Sequence, residues 1–549
     1  MNIAKLQAAG LGIGLTTPAT PAPAAASISA KTSGTIEYPP IAILGIPFDN
    51  VTISEAVHLI AEMIESRRPH YLATANVDFL VQAQTDVELR RILFDAHLVL
   101  CDGTPLVWAS RLLGNPLPQR VAGADLAPLL IQLAADRKYR LFLLGASPES
   151  AERAVENLRR QHPNLLLAGH YSPPFNKLLE MDHEEIKRRI TEAAPDLLFV
   201  SFGCPKQEKW IAMHYRSLGV PVAVGVGATI DFLAGQVKRA PAWMQRCGVE
   251  WIFRLAQEPR RLFGRYTRDL WVFGKSILAQ WWQFRSRPSG NGALMPPLRS
   301  KASCCRREAG PTTQLVEVPE RLDLLATQDG ALDFDKILND GDHCLLQMHQ
   351  VKFIDSTGIG LLIRSQKQLR NARRQLVLVA PSDASQRALK LMRPEEFFAT
   401  AADVPAAIKL IESRLEEISG AIISPGLAGA RELKWQGEVT AANAEEVWYV
   451  TQAHLSAAAA AAQPEVIIDL STVRFIDSSG LGVMVRAKKL AQRHGTRLVF
   501  TNLQPAARNV IQLARLEDFL LGGSLRGNPS FTSFSPAKGS GLRRATWVW

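Results

Sequence analysis

The stretch Leu98-Val-Leu-Cys-Asp-Gly-Thr-Pro-Leu-Val-Trp108 decides how the first half of the chain is expected to fold. An apolar run ends abruptly at Asp102 and Gly103, and Pro105 stands near the first turn of a predicted helix. This order predicts a buried strand that ends in a carboxylate, at the edge of an open α/β sheet where ligands bind. Asp102 is therefore either part of a site or a cap of the helix that follows it.

Short apolar runs alternate with amphipathic segments of helical period over residues 41 to about 222. The alternation predicts a Rossmann-like α/β domain, in which a parallel sheet is joined by crossover helices. The predicted strands are 41–45, 71–74, 98–101, 141–145, 165–169, 197–202 and 222–226. The predicted helices are 54–66, 86–96, 122–135, 148–160, 184–194 and 205–218.

Length and charge limit the class of protein. A chain of 549 residues with 47% hydrophobic content is too long for one core, so we expect several domains and exclude disorder throughout. The six cysteines show no framework spacing, which favours a reducing cytosol. The net charge of +11 predicts an anionic partner: nucleic acid, acidic lipid or a phosphorylated substrate. No apolar run approaches the roughly 20 residues of a membrane span.

Polar or glycine-rich turns follow several predicted strands. Thr74 and Asn76 end the second strand as Asp102 ends the third, so the three side chains are expected to face one site. The turn with Gly145 and Ser147 precedes a helix whose amide groups can hold a phosphate, although a plain Ser N-cap explains it equally well. Further candidates for substrate binding are Arg120, which is an isolated cation, Lys206 beside a helix start, and Gly227 in a third glycine turn.

Five motifs in fixed order carry a resemblance: Thr74-x-Asn76, Asp102-Gly103, Arg120-Val-x-Gly123, Gly203-x-Pro205-Lys-Gln207-Glu208 and Gly225-Val-Gly227-Ala. Together they resemble the WecG/TagA/CpsF glycosyltransferase family over about residues 40 to 285. The resemblance implies an inverting transferase that moves an N-acetylmannosamine-type sugar or a hexose from a UDP-sugar to a sugar on a polyprenyl diphosphate. It also implies that Asp102 is the catalytic base, that Thr74 supports catalysis on the acceptor side, and that Arg120 and Gln207 contact substrate.

The chemistry fits this assignment. A carboxylate is needed to take the acceptor proton, and cations or amides are needed to stabilise the departing diphosphate. A metal-dependent transferase more typically carries an Asp-x-Asp pair, but Asp333-Phe-Asp335 lies outside this domain. The sequence therefore predicts metal independence and no cofactor.

Residues 237–285 mix arginine with tryptophan and phenylalanine at roughly helical spacing. Such a segment fits an anionic membrane surface, whereas packing on the domain and nucleic-acid binding are the alternatives. No nucleic-acid motif accompanies it, so nucleic acid is not expected as a partner. The lipid acceptor of the resembled family favours a cytoplasmic enzyme at the inner face of the cell membrane. The resemblance further implies that Arg254, Arg261 and Arg265 close over the donor diphosphate.

An internal repeat occupies the second half of the chain. Residues 353–364, which begin Phe-Ile-Asp-Ser-Thr-Gly, correspond to residues 475–486, which begin Phe-Ile-Asp-Ser-Ser-Gly. Both copies resemble STAS domains, the fold of anti-sigma factor antagonists, and each is expected to be a small α/β domain. The resemblance points to phosphorylation of Ser479 and of Thr357 by an anti-sigma-like kinase, with other STAS partners left open. Asp355 and Asp477 are expected to cap helices in either case.

The expected organisation has seven parts: a disordered leader (1–38), the transferase domain (39–236), the basic aromatic appendage (237–285), a linker (286–311), two STAS domains (312–415 and 425–524) and a disordered tail (525–549). Two functions compete. The first is a peripheral membrane glycosyltransferase of cell-envelope polysaccharide synthesis that its STAS domains regulate. The second is a non-catalytic STAS regulator whose first domain senses a nucleotide sugar. A homo-oligomer is compatible with both.

Overall fold

A computed structural model of the chain describes residues 39–236, 239–241, 243–244, 249–257, 259–285, 307–310, 313–323, 343–372, 374–392, 398–419, 423–424 and 432–522. The predicted leader and tail lie outside these residues, as does most of the predicted linker.

The domain begins with a hairpin where a parallel strand was predicted. Strands β1 (Ile41–Ile43) and β2 (Ile46–Phe48) pair antiparallel. Leu44 and Gly45 join them, both with positive φ, in the kind of two-residue turn that suits the twist of a hairpin. The expectation that 41–45 belongs to the parallel sheet was therefore wrong, because this turn reverses the chain after three residues of strand.

The six remaining predicted strands are confirmed and form one parallel sheet. They are β3 (His70–Ala75), β4 (Leu98–Cys101), β5 (Arg140–Gly145), β6 (Leu166–Tyr171), β7 (Leu197–Ser201) and β8 (Val222–Gly225). Their order in the sheet is β4-β3-β8-β7-β5-β6. Strands β3 and β4 are neighbours in register, with Thr74 beside Leu100, so their carboxyl ends meet at one edge.

Helices cover the sheet, as expected for crossover connections. Nine lie in this domain: α1 (Ile53–Glu65), α2 (Val77–Ala83), α3 (Val87–Asp95), α4 (Thr104–Leu112), α5 (Gly123–Arg137), α6 (Pro148–Gln161), α7 (His183–Ala193), α8 (Lys206–His214) and α9 (Thr229–Leu233). The strand periodicity did not predict α2 and α9, which are short helices directly after strand ends.

Two helices form the appendage, α10 (Glu250–Gln257) and α11 (Pro259–Arg285). One face of α11 is buried, and Gln280 on that face anchors it to the hairpin: its Oε1 accepts from the Leu44 N–H and its Nε2 donates to the Ala42 carbonyl, both at 3.0 Å. The other face exposes Phe263, Trp271, Leu278 and Trp282. Within the described ranges, no helix combines the length and apolarity that a membrane crossing requires.

The two repeat copies are small α/β domains, as predicted. The first contains β9 (Arg307–Gly310), β10 (Thr313–Glu317), β11 (Arg321–Leu322), β12 (His343–Gln347), β13 (Phe353–Ile354), α12 (Ser356–Asn371), β14 (Leu376–Val379), α13 (Asp383–Met392), β15 (Ala399–Ala401) and α14 (Val404–Ser419). Five of its strands form a sheet in the order β15-β14-β12-β10-β9. Strand β9 lies within the range predicted as linker, so the linker prediction was wrong at that end: residues 307–310 pair with β10.

The second copy contains β16 (Ile423–Ser424), β17 (Glu432–Val439), α15 (Ala444–Ala460), β18 (Glu465–Ile476), α16 (Ser478–Arg493), β19 (Arg497–Thr501) and α17 (Pro505–Leu513). Its sheet has the order β16-β17-β18-β19. In both copies the predicted aspartate caps the helix after the shared turn. Asp355 accepts from the N–H groups of Thr357 and Gly358, and Asp477 from those of Ser479 and Gly480.

Candidate active site

A cleft of about 210 Å³ opens where β3 and β4 end, between the sheet and the appendage helices. Helices α2 and α4 begin directly after the polar residues that end these strands, and the first residues of both helices line the cleft. The cleft is lined by Asn76, Val77, Asp78, Asp102, Gly103, Thr104, Pro105, Arg120, Glu250, Trp251, Arg265, Tyr266, Asp269 and Leu270. Four of the predicted site residues are therefore together here: Asn76, Asp102, Arg120 and Arg265.

Asp102 does not cap the helix that follows it in sequence. Helix α4 has Gly103 at its N-cap position and no capping hydrogen bond from a side chain. Instead, Oδ2 of Asp102 accepts from the backbone N–H of Gly123, the first residue of α5, at 3.4 Å. The partial positive charge at that helix start favours an ionised carboxylate. This hydrogen bond holds the Asp102 carboxyl group on the cleft wall.

Thr74 and Asn76 flank this carboxylate. The hydroxyl of Thr74 is buried and donates to the carbonyl of Gly225 at 3.4 Å. A Cβ built on Gly123 would lie 3.1 Å from the Thr74 Oγ1, which places Thr74 directly against the loop that holds Asp102. Asn76 caps α2 through its Oδ1, which accepts from the Phe79 N–H at 3.3 Å, and it also lines the cleft.

Arg120 is the centre of an ion network that joins the sheet domain to the appendage. Its guanidinium contacts Asp125 at 2.7 Å and Glu250, at the start of α10, at 3.1 Å. Arg239 contacts Asp125 at 2.7 Å from the other side. Burial alone would lower the pKa of Arg120, but the hydrogen bond to Glu250 and the charges of Asp125 and Asp102 raise it. Arg120 is thus a cation that two ion pairs hold in place beside Asp102.

Three cleft residues carry buried polar atoms that have no hydrogen-bond partner among the described residues: the Nε of Arg265, Oδ1 of Asp78 and Oδ2 of Asp269. Burial and the nearby charge of Asp78 raise the pKa of the Asp269 carboxyl. Unsatisfied buried polar groups are costly, and a polar ligand in the cleft would supply hydrogen-bond partners for these three atoms. The sequence did not single out Asp78, which lies on a short helix that was not predicted, or Glu250 and Asp269, whose place in the cleft depends on how the appendage packs.

The other predicted substrate contacts lie along the same sheet edge but outside the lining of this cleft. Gly145 approaches β7 so closely that a Cβ would lie 2.4 Å from the carbonyl of Ser201. Ser147 caps α6 by accepting from the Ser150 N–H at 3.1 Å. Lys206 donates from its Nζ to the carbonyl of Asn176 at 2.6 Å, and burial lowers its pKa.

Gln207 is buried beneath the glycine turns and does not reach the cleft surface. Its Oε1 accepts from the N–H groups of Gly203 and Gly227, both at 3.2 Å, and its Nε2 donates to Glu208 at 2.7 Å. Both ends of the amide are therefore engaged within the protein. Gln207 holds two turns in place, including the one that contains Gly227. It is therefore a positioning residue, whereas the sequence predicted a substrate contact.

The remaining predicted residues divide into two groups. Arg254 and Arg261 lie on α10 and α11, but their side chains fall outside the described part of the structure. Ser479 is half-buried at the start of α16, whereas Thr357 at the start of α12 is fully buried. No cluster of three or more His, Cys, Asp or Glu side chains suited to hold a metal ion occurs among the described residues.

Comparisons with known proteins assign both halves of the chain. Residues 41–287 match the model of the glycosyl transferase WecG/TagA/CpsF family. Residues 311–407 and 422–530 match the model of the STAS domain.

Similar curated proteins include three from Staphylococcus aureus, of strains MW2, NCTC 8325 and COL. Each is named N-acetylglucosaminyldiphosphoundecaprenol N-acetyl-beta-D-mannosaminyltransferase. Each is 32% identical over 222 residues, which cover 40% of this chain and 85% of the relative. The shared region is thus nearly the whole relative and less than half of this chain.

Proposed function

Because this chain belongs to the WecG/TagA/CpsF glycosyltransferase family and carries two STAS domains, we propose that it is an inverting, UDP-sugar-dependent transferase. The donor is an N-acetylmannosamine-type sugar or a hexose linked to UDP. The acceptor is a sugar on a polyprenyl diphosphate, as the names of the relatives indicate for those proteins. The product belongs to cell-envelope polysaccharide synthesis. The observation that carries the proposal is the position of Asp102. Its carboxyl group is held at the start of α5 and lines a cleft whose other polar side chains can form hydrogen bonds with a sugar.

In the proposed reaction, Asp102 takes the proton of the acceptor hydroxyl while that oxygen attacks the anomeric carbon. The bond from the anomeric carbon to the UDP oxygen breaks, and UDP leaves with the electron pair. Attack opposite the leaving group inverts the anomeric centre. Thr74 acts beside Asp102 by holding the loop around Gly123 in place.

Charge within the cleft suggests how the substrates divide it. Four carboxylates (Asp78, Asp102, Glu250 and Asp269) and two guanidinium groups (Arg120 and Arg265) line it. Carboxylate oxygens accept hydrogen bonds from sugar hydroxyls, so we assign Asp78 and Asp269 to the sugars. We assign the diphosphate to Arg265, with Arg254 and Arg261 from the same two helices and the amide groups near Gly145 and Ser147. Cations of the protein then stabilise the leaving group, and the reaction proceeds without a metal cofactor.

We further propose that the enzyme works at the cytoplasmic face of the cell membrane. The supporting observation is the exposed aromatic face of α11, whose opposite face packs on the domain. Phe263, Trp271, Leu278 and Trp282 recur at intervals of four to eight residues and thus form one stripe. A lipid-linked acceptor reaches the cleft without leaving the bilayer if this stripe lies on the membrane surface.

The test uses the full chain, a panel of UDP-sugars and a short-chain polyprenyl diphosphate N-acetylglucosamine. Mass spectrometry of the lipid product detects transfer, and nuclear magnetic resonance gives the anomeric configuration. We expect one donor to be transferred with inversion, at the same rate with and without EDTA. Donor binding in calorimetry without transfer to any acceptor would favour the sensing function, and a retained configuration would refute the mechanism. Loss of activity in EDTA would refute metal independence.

A further inference from the structure

The two STAS domains contact the transferase domain through their repeated motif. Helices α12 and α16, which follow the shared Asp-Ser-Thr/Ser-Gly turn, both face the first domain. Helix α3 of the transferase domain lies between them: its first half meets the second copy and its last residues meet the first copy. Residues Glu88 and Phe94 of α3 are both buried.

The contact with the second copy places a carboxylate at a helix start. Oε1 of Glu88 accepts from the backbone N–H of Ser478, the first residue of α16, at 2.5 Å. Lys209 of α8 holds the other oxygen of Glu88 at 2.8 Å and Asp86 at 2.8 Å. The positive end of the α16 dipole thus binds a carboxylate of the transferase domain.

One turn further along α3, Arg91 contacts the same copy. Its guanidinium pairs with Glu438 of β17 and lies 4.2 Å from the ring centre of Phe475. Burial and the neighbouring Glu88 charge raise the pKa of Asp477 to about 7, which agrees with close apposition of the two domains.

The first copy contacts the opposite end of α3. Arg370 pairs with Asp95, and the Nζ of Lys367 donates to the carbonyl of Ala96. Gly360 of α12 lies so close to the start of the hairpin that a Cβ would lie 2.2 Å from the carbonyl of Pro40. The equivalent glycine of the second copy, Gly482, has nothing within 4 Å of a Cβ. The two copies therefore contact the transferase domain through different residues of the repeated motif and of the helix that contains it.

We propose that the protein bound by the two STAS motifs is the transferase domain of the same chain, with Glu88 occupying the anion position at the start of α16. An external partner that recognises this turn through an acidic group must then displace Glu88. Displacement of Glu88 from the start of α16 affects the candidate active site through two helices, α3 and α8. Helix α3 directly follows α2, whose first residues line the cleft, and Lys209 lies one turn after Lys206 on α8.

The first test compares Ser478→Pro with Ser478→Ala in the full chain by hydrogen exchange. Proline lacks the N–H that Glu88 accepts, is tolerated at the first helical position, and follows Asp477 in an extended conformation that suits it. Alanine keeps the N–H. We expect exchange in residues 87–95 to rise about tenfold with proline and to stay at the wild-type rate with alanine. Equal exchange in both variants, with β18 still protected, would overturn the proposal.

A second test remains decisive if proline unfolds its own domain, which loss of protection in β18 would reveal. Arg91→Glu and Glu438→Arg should each raise exchange in residues 87–95, and the double variant should restore part of the protection. A double variant that exchanges no slower than the two single variants would refute the contact.

For the first copy, Gly360→Ala should increase exchange in the hairpin and Gly482→Ala should not. Equal hairpin exchange in these two variants would contradict docking of that copy. These exchange measurements do not require transfer activity, so failure of this proposal is distinct from failure of the proposed function.

Discussion

The carboxylate of Asp102 accepts a hydrogen bond from the backbone N–H of Gly123, which is 21 residues further along the chain. The contact joins the end of β4, the edge strand of the sheet, to the start of a different helix from the one that follows Asp102. It keeps the side chain at the cleft wall beside Arg120, whose pKa the charge of Asp102 helps to raise. The first prediction follows from this placement.

Asp102→Asn should lower the transfer rate by a factor of about 100 to 10,000, because the amide cannot take the acceptor proton. Donor affinity in calorimetry should stay within a few-fold of wild type. The matched control is Asp136→Asn, an exposed aspartate on α5 that Gln132 contacts, which should leave the rate unchanged. Transfer by the Asp102 variant at the wild-type rate would show that another group is the base.

Glu250→Gln should lower transfer by about tenfold or more, since it weakens the contact that ties the appendage to Arg120. The loss arises from a displaced α10, so trypsin should also cleave the appendage faster. Glu185 offers a control, because it pairs with Arg188 and Arg189 on the exposed face of α7, where ion pairs contribute little. If Glu185→Gln impairs transfer as strongly as Glu250→Gln, the network has no special role.

Glu208→Gln should change how stability depends on pH. Burial raises the pKa of Glu208 from 4.5 to about 7. The folded protein therefore keeps a proton between these pH values that the unfolded chain loses, so this group reduces stability as pH rises from about 4.5 to 7. Glutamine resembles the protonated form and still accepts from Gln207.

Thermal unfolding at pH 5 and pH 8 checks this effect. The variant should match wild type at pH 5 and exceed it at pH 8, by up to about 3 kcal/mol in the free energy of unfolding. An equal difference between the two proteins at both pH values would mean that Glu208 does not titrate in this range.

The double substitution Trp271→Ala with Trp282→Ala should weaken binding to vesicles of anionic phospholipid by at least about tenfold, because both indoles are exposed on the same stripe of α11. Flotation with vesicles measures the loss. Tyr449→Ala removes an equally exposed aromatic side chain from the second STAS domain and should have no effect. Unchanged flotation of the double variant would exclude this stripe as the membrane contact.

Ser479→Asp should mimic the effect of a phosphate and increase exchange in residues 87–95, because the added charge lies one residue from the Ser478 N–H that Glu88 accepts. Ser479→Asn has nearly the same shape without the charge and should dock as wild type does. Hydrogen exchange of the two variants in parallel distinguishes charge from shape. Equal exchange of residues 87–95 in the two variants would show that a charge at position 479 does not control docking of the second STAS domain.

Much of the fold was predictable because its signals are local. An apolar run that stops at a polar residue predicted the six parallel strands, and the repeated Asp-Ser-Thr/Ser-Gly turn predicted two homologous domains with capped helices. The hairpin at 41–48 was missed, because it depends on two consecutive residues with positive φ, one of which is Leu44. A leucine gives no signal of that conformation.

The candidate site was predictable only in part. Residues at the ends of neighbouring strands, Thr74, Asn76 and Asp102, met as the parallel register requires. Gln207 does not line the cleft. Its amide oxygen accepts hydrogen bonds from Gly203 and Gly227, which lie in two turns 24 residues apart in sequence. Glu250 and Asp269 were missed, because their place in the site depends on how the appendage packs.

The sequence by itself determined the six parallel strands, the two turns of the repeat and the position of Asp102 at a strand end, since each depends on residues close together in the chain, and five short motifs taken together indicated the family. Only the tertiary structure decided which atoms meet across long separations: Arg120 with Glu250, Gln280 with the hairpin, and Glu88 with Ser478, which is 390 residues away. Such contacts depend on how finished elements pack, and packing is set by the burial of all their faces together. The sequence of one segment therefore does not predict these contacts.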